Sequence, residues 1–209
     1  MRRPCTHLVF SFQLAGKRWK VDLASRHEAS LLLSAVNLPG GIQRRRNAED
    51  ELRMREVFRE GDLLSAEVQS VQTDGSVALH TRSLKYGLLV GGQLIQVPPA
   101  LVKRQKQHFH TLEAIGVDLI LGCNGLLWVQ PHVSPPPQSS IQGGADGGPD
   151  GEKPIESVPA KPPCSRHQLE VVTRVGNAIR ALAHSYLAIY PTTIMDTYEV
   201  SNKESNSSS

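Results

Sequence analysis

The sequence predicts an α+β protein in which a small β-barrel is followed by a second small α/β domain. Three observations carry that expectation. Short apolar or alternating runs separated by glycine turns fill roughly the first 90 residues. One charged stretch of helical character interrupts them between Ala48 and Arg59. After Pro98-Pro99 the rhythm changes, and the last long apolar pattern, Leu169 to Tyr186, recurs at helical spacing.

Taken in order, His7–Ala15 alternates loosely. A strand there would place Leu8, Phe10 and Phe12 on one face and Val9 and Ser11 on the other. Gly16 marks a turn. Lys17–Leu23 alternates more clearly, with Trp19, Val21 and Leu23 inward and Arg18, Lys20 and Asp22 outward. Ala29–Val36 is nearly continuous in apolar residues, as a well-covered strand should be. Pro39-Gly40-Gly41 ends that strand and Arg44-Arg45-Arg46 follows. Asn47 is a good N-cap for a helix over Ala48–Arg59, whose narrow apolar face is Met54, Val57 and Phe58, with Gly61-Asp62 as its stop. Leu63–Val71 is a strand with Leu64, Ala66 and Val68 on one face. Thr73-Asp74-Gly75 is a hairpin turn, because Asp-Gly supplies positive φ. Ser76–Arg82 returns with Val77, Leu79 and Thr81 together. Short strands, one inserted helix and glycine turns within about 80 residues predict an OB-type barrel.

In the second half, Gln93–Val97 is a short strand closed by Pro98-Pro99, and Ala100–His110 reads as a basic helix. Val117–Leu121 and Leu126–Gln130 are apolar strands joined across Gly122-Cys123-Asn124-Gly125. Residues 131–163 are rich in Pro, Gly and Ser and nearly empty of large apolar side chains, so a disordered insertion is expected there. Ser165 with Gln168 is a capping box for a helix carrying Leu169, Val172, Val175, Ile179, Leu182 and Tyr186, ended by Pro191. Thr192–Val200 offers one further short element, and residues 201–209 read as a polar tail.

Composition narrows the function classes. The chain has 209 residues, a net charge of +3 and only 5% aromatic residues, which argues against broad base-stacking platforms. Cys5, Cys123 and Cys164 are too sparse for a disulfide framework or a zinc site, and point to a reducing, intracellular compartment. No apolar run approaches the ~18 residues a membrane helix needs, so no membrane partner is expected. Of the eight histidines, only His108 and His110 lie close together, and at that spacing on a helix they do not share a face. Paired carboxylates, a nucleophile elbow and a phosphate loop are all missing from the sequence, so it predicts a protein that is not an enzyme and uses no metal or cofactor.

What remains is basic side chains. Arg44, Arg45 and Arg46, with Arg18 and Lys20, would form a basic patch over the barrel suited to phosphate. The plainer reading is a solvated loop, or one paired with acidic residues of a neighbouring subunit. Lys103, Arg104 and Lys106 lie on the second-half helix, where Lys103 and Lys106 would share a face suited to RNA phosphates. Trp19 could stack a base, but its alternation with Val21 and Leu23 puts it on the core face.

Several strings together resemble the RNA-binding cap subunits of the eukaryotic RNA exosome. They are Leu38-Pro39-Gly40-Gly41, the triple arginine, Asn47-Ala48-Glu49-Asp50-Glu51-Leu52, Glu60-Gly61-Asp62 and, above all, Leu79-His80-Thr81-Arg82-Ser83-Leu84-Lys85-Tyr86-Gly87. Leu101-Val102-Lys103-Arg104-Gln105-Lys106 and His108-Phe109-His110 extend the likeness, which covers residues 17–133 closely and 165–200 loosely. The resemblance implies an N-terminal domain, an OB-fold domain of the ribosomal-protein-S1 kind and a KH domain. It implies a non-catalytic subunit seated with other cap subunits on a ring of ribonuclease-PH-like proteins, and for Lys103, Arg104 and Lys106 it offers subunit contact as an alternative of equal weight to RNA. Such a subunit guides RNA toward a 3′-to-5′ exonuclease in rRNA maturation and mRNA turnover, in nucleus, nucleolus and cytoplasm.

On that reading residues 17–90 are the OB domain and 91–200 a KH-like domain with an insertion at 131–163. Residues 1–16 are a divergent leader that could replace the missing first strand, and 201–209 are a tail. The family's N-terminal domain is not matched, which predicts weaker ring association. The rival expectations are a purely structural interaction subunit or a shortened product that assembles poorly. Gly122-Cys123-Asn124-Gly125 matches the GxxG loop with which KH domains clamp nucleotides. Flanked by apolar strands it reads better as a structural turn, and the resemblance agrees, since exosome KH domains carry this Gly-x-Asn-Gly form.

Overall fold

The computed structural model describes residues 6–37, 48–132 and 164–207. The first half is a barrel of five strands: β1 (Thr6–Ala15), β2 (Arg18–Asp22), β3 (Ala29–Val36), β4 (Leu63–Val71) and β5 (Val77–Thr81). A two-residue strand, β6 (Gly87–Leu88), is added on β4. Strand order is β1-β2-β3-β5-β4-β6, and β1 also pairs with β4, which closes the barrel. Among the described strands of this barrel, only β3 and β5 pair in parallel. This is the OB-type barrel that the short strands and glycine turns predict.

Closure falls to β1, the strand expected at His7–Ala15. Phe10 belongs to both of its ladders: residues Thr6–Phe10 pair with β4, and Phe10–Ala15 pair with β2 around an irregularity between Ser11 and Gln13. The expected facing of β1 is corrected. Val9 enters the barrel core, Leu8 leaves it for the second unit, and Phe10 is 37% exposed. Leu8 and Val9 are both fully buried, because this strand is covered on two sides by different partners.

The inserted helix is broken in two: α1 (Ala48–Leu52) and α2 (Met54–Val57). Phe58 is already extended, so the helix stops before Gly61-Asp62. The reason is tertiary. Met54 and Phe58 plug the barrel, and the Phe58 carbonyl accepts the Trp19 Nε1–H at 3.1 Å. Of the insertion expected at 131–163, Pro131 instead ends the last strand of the second sheet and the His132 N–H donates to the Gly116 carbonyl at 2.8 Å; its remainder, the expected Asn47 cap and Pro39-Gly40-Gly41 lie outside the described residues. The Thr73–Gly75 hairpin turn forms, with Gly75 at φ +86° and the Asp74 carboxylate accepting the Ser76 N–H.

The second half is an antiparallel sheet ordered β7-β10-β9-β8, with β7 (Gln93–Gln96), β8 (Phe109–Leu112), β9 (Val117–Leu121) and β10 (Leu126–Pro131). Two helices, α3 (Arg166–His184) and α4 (Pro191–Ser207), pack on it. The capping box forms: Ser165 Oγ accepts from the Gln168 N–H, and Gln168 Oε1 from the Ser165 N–H. Leu169, expected in the core, is 47% exposed, and Tyr186 lies beyond the helix and is also exposed. Pro191 opens α4 rather than ending α3, as its missing N–H permits, and α4 carries into what reads as a polar tail.

The apolar continuity of β9 and β10 now has a cause. Leu119, Leu121, Leu127 and Val129 face the helices, while Ile120, Leu126 and Trp128 face the barrel and meet Leu8 and Leu63. A small junction core thus joins two larger ones.

Candidate nucleic-acid interface

The alternation of β2 buries Trp19 and Val21 and leaves Arg18 and Lys20 on the outer face of the barrel. In register, Arg18 stands between Ala15 of β1 and Leu32 of β3, and Lys20 between Gln13 and Ser30. Phe10, opposite Asp22, and Leu32 are exposed on the same strands. Cations beside accessible apolar side chains suit a single strand, with phosphates neutralised and bases laid on the apolar groups. The outer face of the second and third strands is also where OB barrels present such a surface. Part of the charge is shared. Lys17 pairs with Glu51 of α1 at 2.7 Å, and Lys20 approaches Glu28 at 3.6 Å. Both pairs are exposed enough to be weak. Trp19 is wholly in the core, so it cannot stack a base. Arg44, Arg45 and Arg46 lie outside the described residues.

The basic helix expected over Ala100–His110 does not form. A single 3-10 turn at Pro99–Leu101 gives way to a bridge in which the Lys103 N–H donates to Ile189 and the Ile189 N–H to Leu101. The backbone hydrogen bonds that a helix would use are spent on a segment far along the chain, and β8 begins at Phe109. Lys103 therefore shares no helix face with Lys106. Its Nζ lies 4.8 Å from the Tyr190 ring centroid, while Arg104 and Lys106 are exposed on the loop.

Sequence reasoning overlooked Arg82 and Lys85 as contacts. They flank Ser83-Leu84 in the β5–β6 loop, where Leu84 is 88% exposed. Lys85 Nζ sits 4.9 Å from the Tyr86 ring and 5.4 Å from the Phe109 ring, so a barrel loop reaches the strand into which Lys103–Lys106 leads. The signal was present, since an apolar residue between two cations in a turn has little reason to be buried. Tyr86 anchors the loop. Its hydroxyl lies 3.4 Å from Thr6 Oγ1, and burial, aided by Glu67 against the Thr6 bond, pushes the phenol up to about 12, so it stays neutral.

Gly122-Cys123-Asn124-Gly125 joins β9 to β10 as a turn seated on the barrel. The Gly122 N–H donates to Leu126 and the Gly125 N–H to Gly122. The Cys123 N–H donates to the Thr6 carbonyl at 3.0 Å, and Asn124 Nδ2 to the Leu8 and Leu23 carbonyls at 2.7 and 3.1 Å. The N–H groups of Gly122, Cys123 and Gly125 and the side-chain amide of Asn124 are thus engaged within the protein rather than offered to phosphates. Among the described residues, no three His, Cys, Asp or Glu side chains form a metal-ligating group.

Both halves of the chain have known relatives. A family model described as the S1 domain of RRP4 matches residues 12–70, and a KH domain model matches residues 92–135. Exosome complex component RRP4 of Bos taurus is 49% identical over 189 residues, covering 90% of this chain and 59% of that protein. The Arabidopsis thaliana homolog is 44% identical over 92% of this chain and 59% of its own length. Exosome complex component RRP4 of Saccharomyces cerevisiae is 39% identical over 93% of this chain and 60% of its own length. The chain thus spans about six-tenths of the curated relatives it matches. A crystal structure described as an exosome complex RNA-binding protein superposes with a TM-score of 0.62 over 100% of this chain and 97% of its own, at 16% identity, and so speaks for the fold alone. An S1 domain of the RRP4 type followed by a KH domain is thus the arrangement that this chain shares, over about nine-tenths of its length, with the exosome complex component RRP4 proteins it resembles.

Proposed function

We propose that this chain is a non-catalytic RNA-binding component of an exosome, holding single-stranded RNA on the outer face of β1–β3. The observation that carries the reading is the row of Arg18 and Lys20 beside exposed Phe10 and Leu32. The matches to S1 and KH domains support it. Lys103, Arg104 and Lys106, joined by Arg82 and Lys85, supply a second basic surface. The partners proposed with it are the ribonuclease-PH-like ring subunits and the other cap subunits, serving rRNA maturation and mRNA turnover in nucleus, nucleolus and cytoplasm. Imaging and affinity capture of the tagged chain test those placements.

Binding of labelled single-stranded RNA, followed by fluorescence anisotropy across a salt series, tests the central claim. Arg18→Ala with Lys20→Ala should lower the salt slope by about 1.4, since each phosphate contact contributes about 0.7 on a single strand. An unchanged slope would favour the structural reading, to which the Lys17–Glu51 and Lys20–Glu28 pairs lend support. Highly purified protein incubated with the same RNA and magnesium is expected to leave it intact. Shortening that follows the protein through purification would show a nuclease.

A further inference from the structure

Three imidazoles gather where the barrel meets the second sheet. His7 lies on β1 between Thr6 and Leu8, the two residues whose carbonyls the Gly122–Gly125 turn grips. His108 is buried, its Nδ1 3.0 Å from the Leu121 carbonyl, and both its ring nitrogens lie 3.9 Å from Cys123 Sγ. His110 follows on β8. One ring nitrogen of His7 and one of His110 are buried without a hydrogen-bond partner. A proton added to either of those two nitrogens would find no acceptor, and His108 stands close to both rings.

The surrounding charges give little relief. From β4, Glu67 faces His80 at 3.9 Å and acts on Tyr86. From the β5–β6 loop, Lys85 brings further positive charge to Phe109. From β9, Asp118 is engaged by Thr111 and His132 at 2.8 and 2.9 Å. From β2, Asp22 accepts the Ala24 N–H. Lys106 leads into the cluster from the preceding loop. Burial first and His108 second push His7 down to about 4. Burial also lowers His110, with His108 adding to it and the Gln107 carbonyl opposing.

We propose that the junction between the barrel and the KH-like unit is a proton-operated joint: charging His7 and His110 drives the Gly122–Gly125 turn off β1 and parts the two units while each keeps its own core. The architecture favours opening there. The barrel and the sheet-helix unit have separate, larger cores, and among the described residues the apolar core of the junction is small: Leu8, Leu63, Ile120, Leu126 and Trp128, with Leu89, Leu94 and Phe109 packed against them. The sign follows from linkage. His7 holds its proton less well in the closed form than at its ordinary value of 6.5, so the closed form is fully favoured above that pH and loses favour as pH falls toward about 4. For His7 alone, with the ordinary value restored on opening, the opening constant rises roughly 30-fold between pH 7.5 and pH 5.

Amide hydrogen exchange on the full chain, corrected for intrinsic rates, tests the joint. The Cys123 amide, bonded to Thr6, should lose roughly 30-fold in protection between pH 7.5 and pH 5. Barrel amides at Trp19 and Leu31 and helix amides at Val175 and Ile179 should change by less than about 3-fold. His7→Gln with His110→Gln should flatten the Cys123 response. Equal protection of Cys123 at both pH values, loss in step with the barrel, or an undiminished response in the double variant would overturn the joint. Should that variant fail to fold, imidazole resonances of the unaltered chain decide. A His7 midpoint below pH 5 supports the joint, and one near 6.5 refutes it.

Discussion

Trp19→Ala is expected to cost about 3–5 kcal/mol, a large part of the stability of a domain this size. Trp19 is fully buried among Val9, Leu31, Met54, Leu64 and Leu79, the side chains that fill the barrel from every wall. Its ring meets Phe58 edge-on at 5.4 Å. Truncation opens a cavity bounded by strands that cannot collapse without breaking their ladders. It also orphans the Phe58 carbonyl, whose acceptor role ends the helix at that point. Urea unfolding should show the loss as a lower midpoint. Trp19→Phe should recover most of the packing but not the hydrogen bond, and so fall between the two. A Trp19→Ala chain as stable as the parent would mean that the barrel is not closed around this residue.

The second large effect is expected at Gly125. Its φ is +83°, and a Cβ there would run into the Val97 carbonyl oxygen, a backbone atom that cannot swing aside. The Gly125 carbonyl meanwhile accepts the Val97 N–H at 2.8 Å, so any retreat of one strand from the other breaks that bond. Left-handed backbone alone costs an alanine about 1–2 kcal/mol. The displacement adds to it, and Gly125→Ala should lose about 3 kcal/mol or more. Gly116 provides the comparison. It has a φ of +64°, but a methyl group there would meet nothing within 4 Å, so Gly116→Ala should show the conformational cost by itself. Equal losses at the two positions, measured by denaturant unfolding, would show that the close approach to Val97 does not matter. RNA binding at temperatures well below the melting transition should survive Gly125→Ala, because the Gly122, Cys123 and Gly125 N–H groups are engaged within the protein.

Much of the barrel is legible in the chain because its signals are local. Trp19, Val21 and the outward Arg18 and Lys20 follow from a two-residue period that any half-covered strand must obey. Asp74-Gly75 and the Ser165–Gln168 box work within four residues and need no distant partner. The candidate surface was readable to the same extent: Arg18 and Lys20 are outward, as the alternation requires. Periodicity does not say what covers a face. Leu8 and Val9 read as opposite faces of one strand, yet both are fully buried, one against the second sheet and one in the barrel. The stretch after Pro99 had the composition of a basic helix. Its backbone instead bonds to Ile189, so Lys103, Arg104 and Lys106 stand on a loop.

The sequence by itself determined the two-part architecture, the positions of the five barrel strands and of β7, β9 and β10, the turns at Thr73–Gly75 and Gly122–Gly125, and the strings shared with the RRP4 relatives. Those are properties of neighbouring residues, and short-range sterics and hydrogen bonding suffice to set them. Only the tertiary structure decided that Asn124 would reach Leu8 and Leu23 across the domain boundary, that Lys85 would lie over Phe109, and that His7 would stand near His108. Each of these joins groups far apart in the chain. Their proximity is fixed by how the two larger cores dock through a small third one, and no pattern within a single segment encodes that docking.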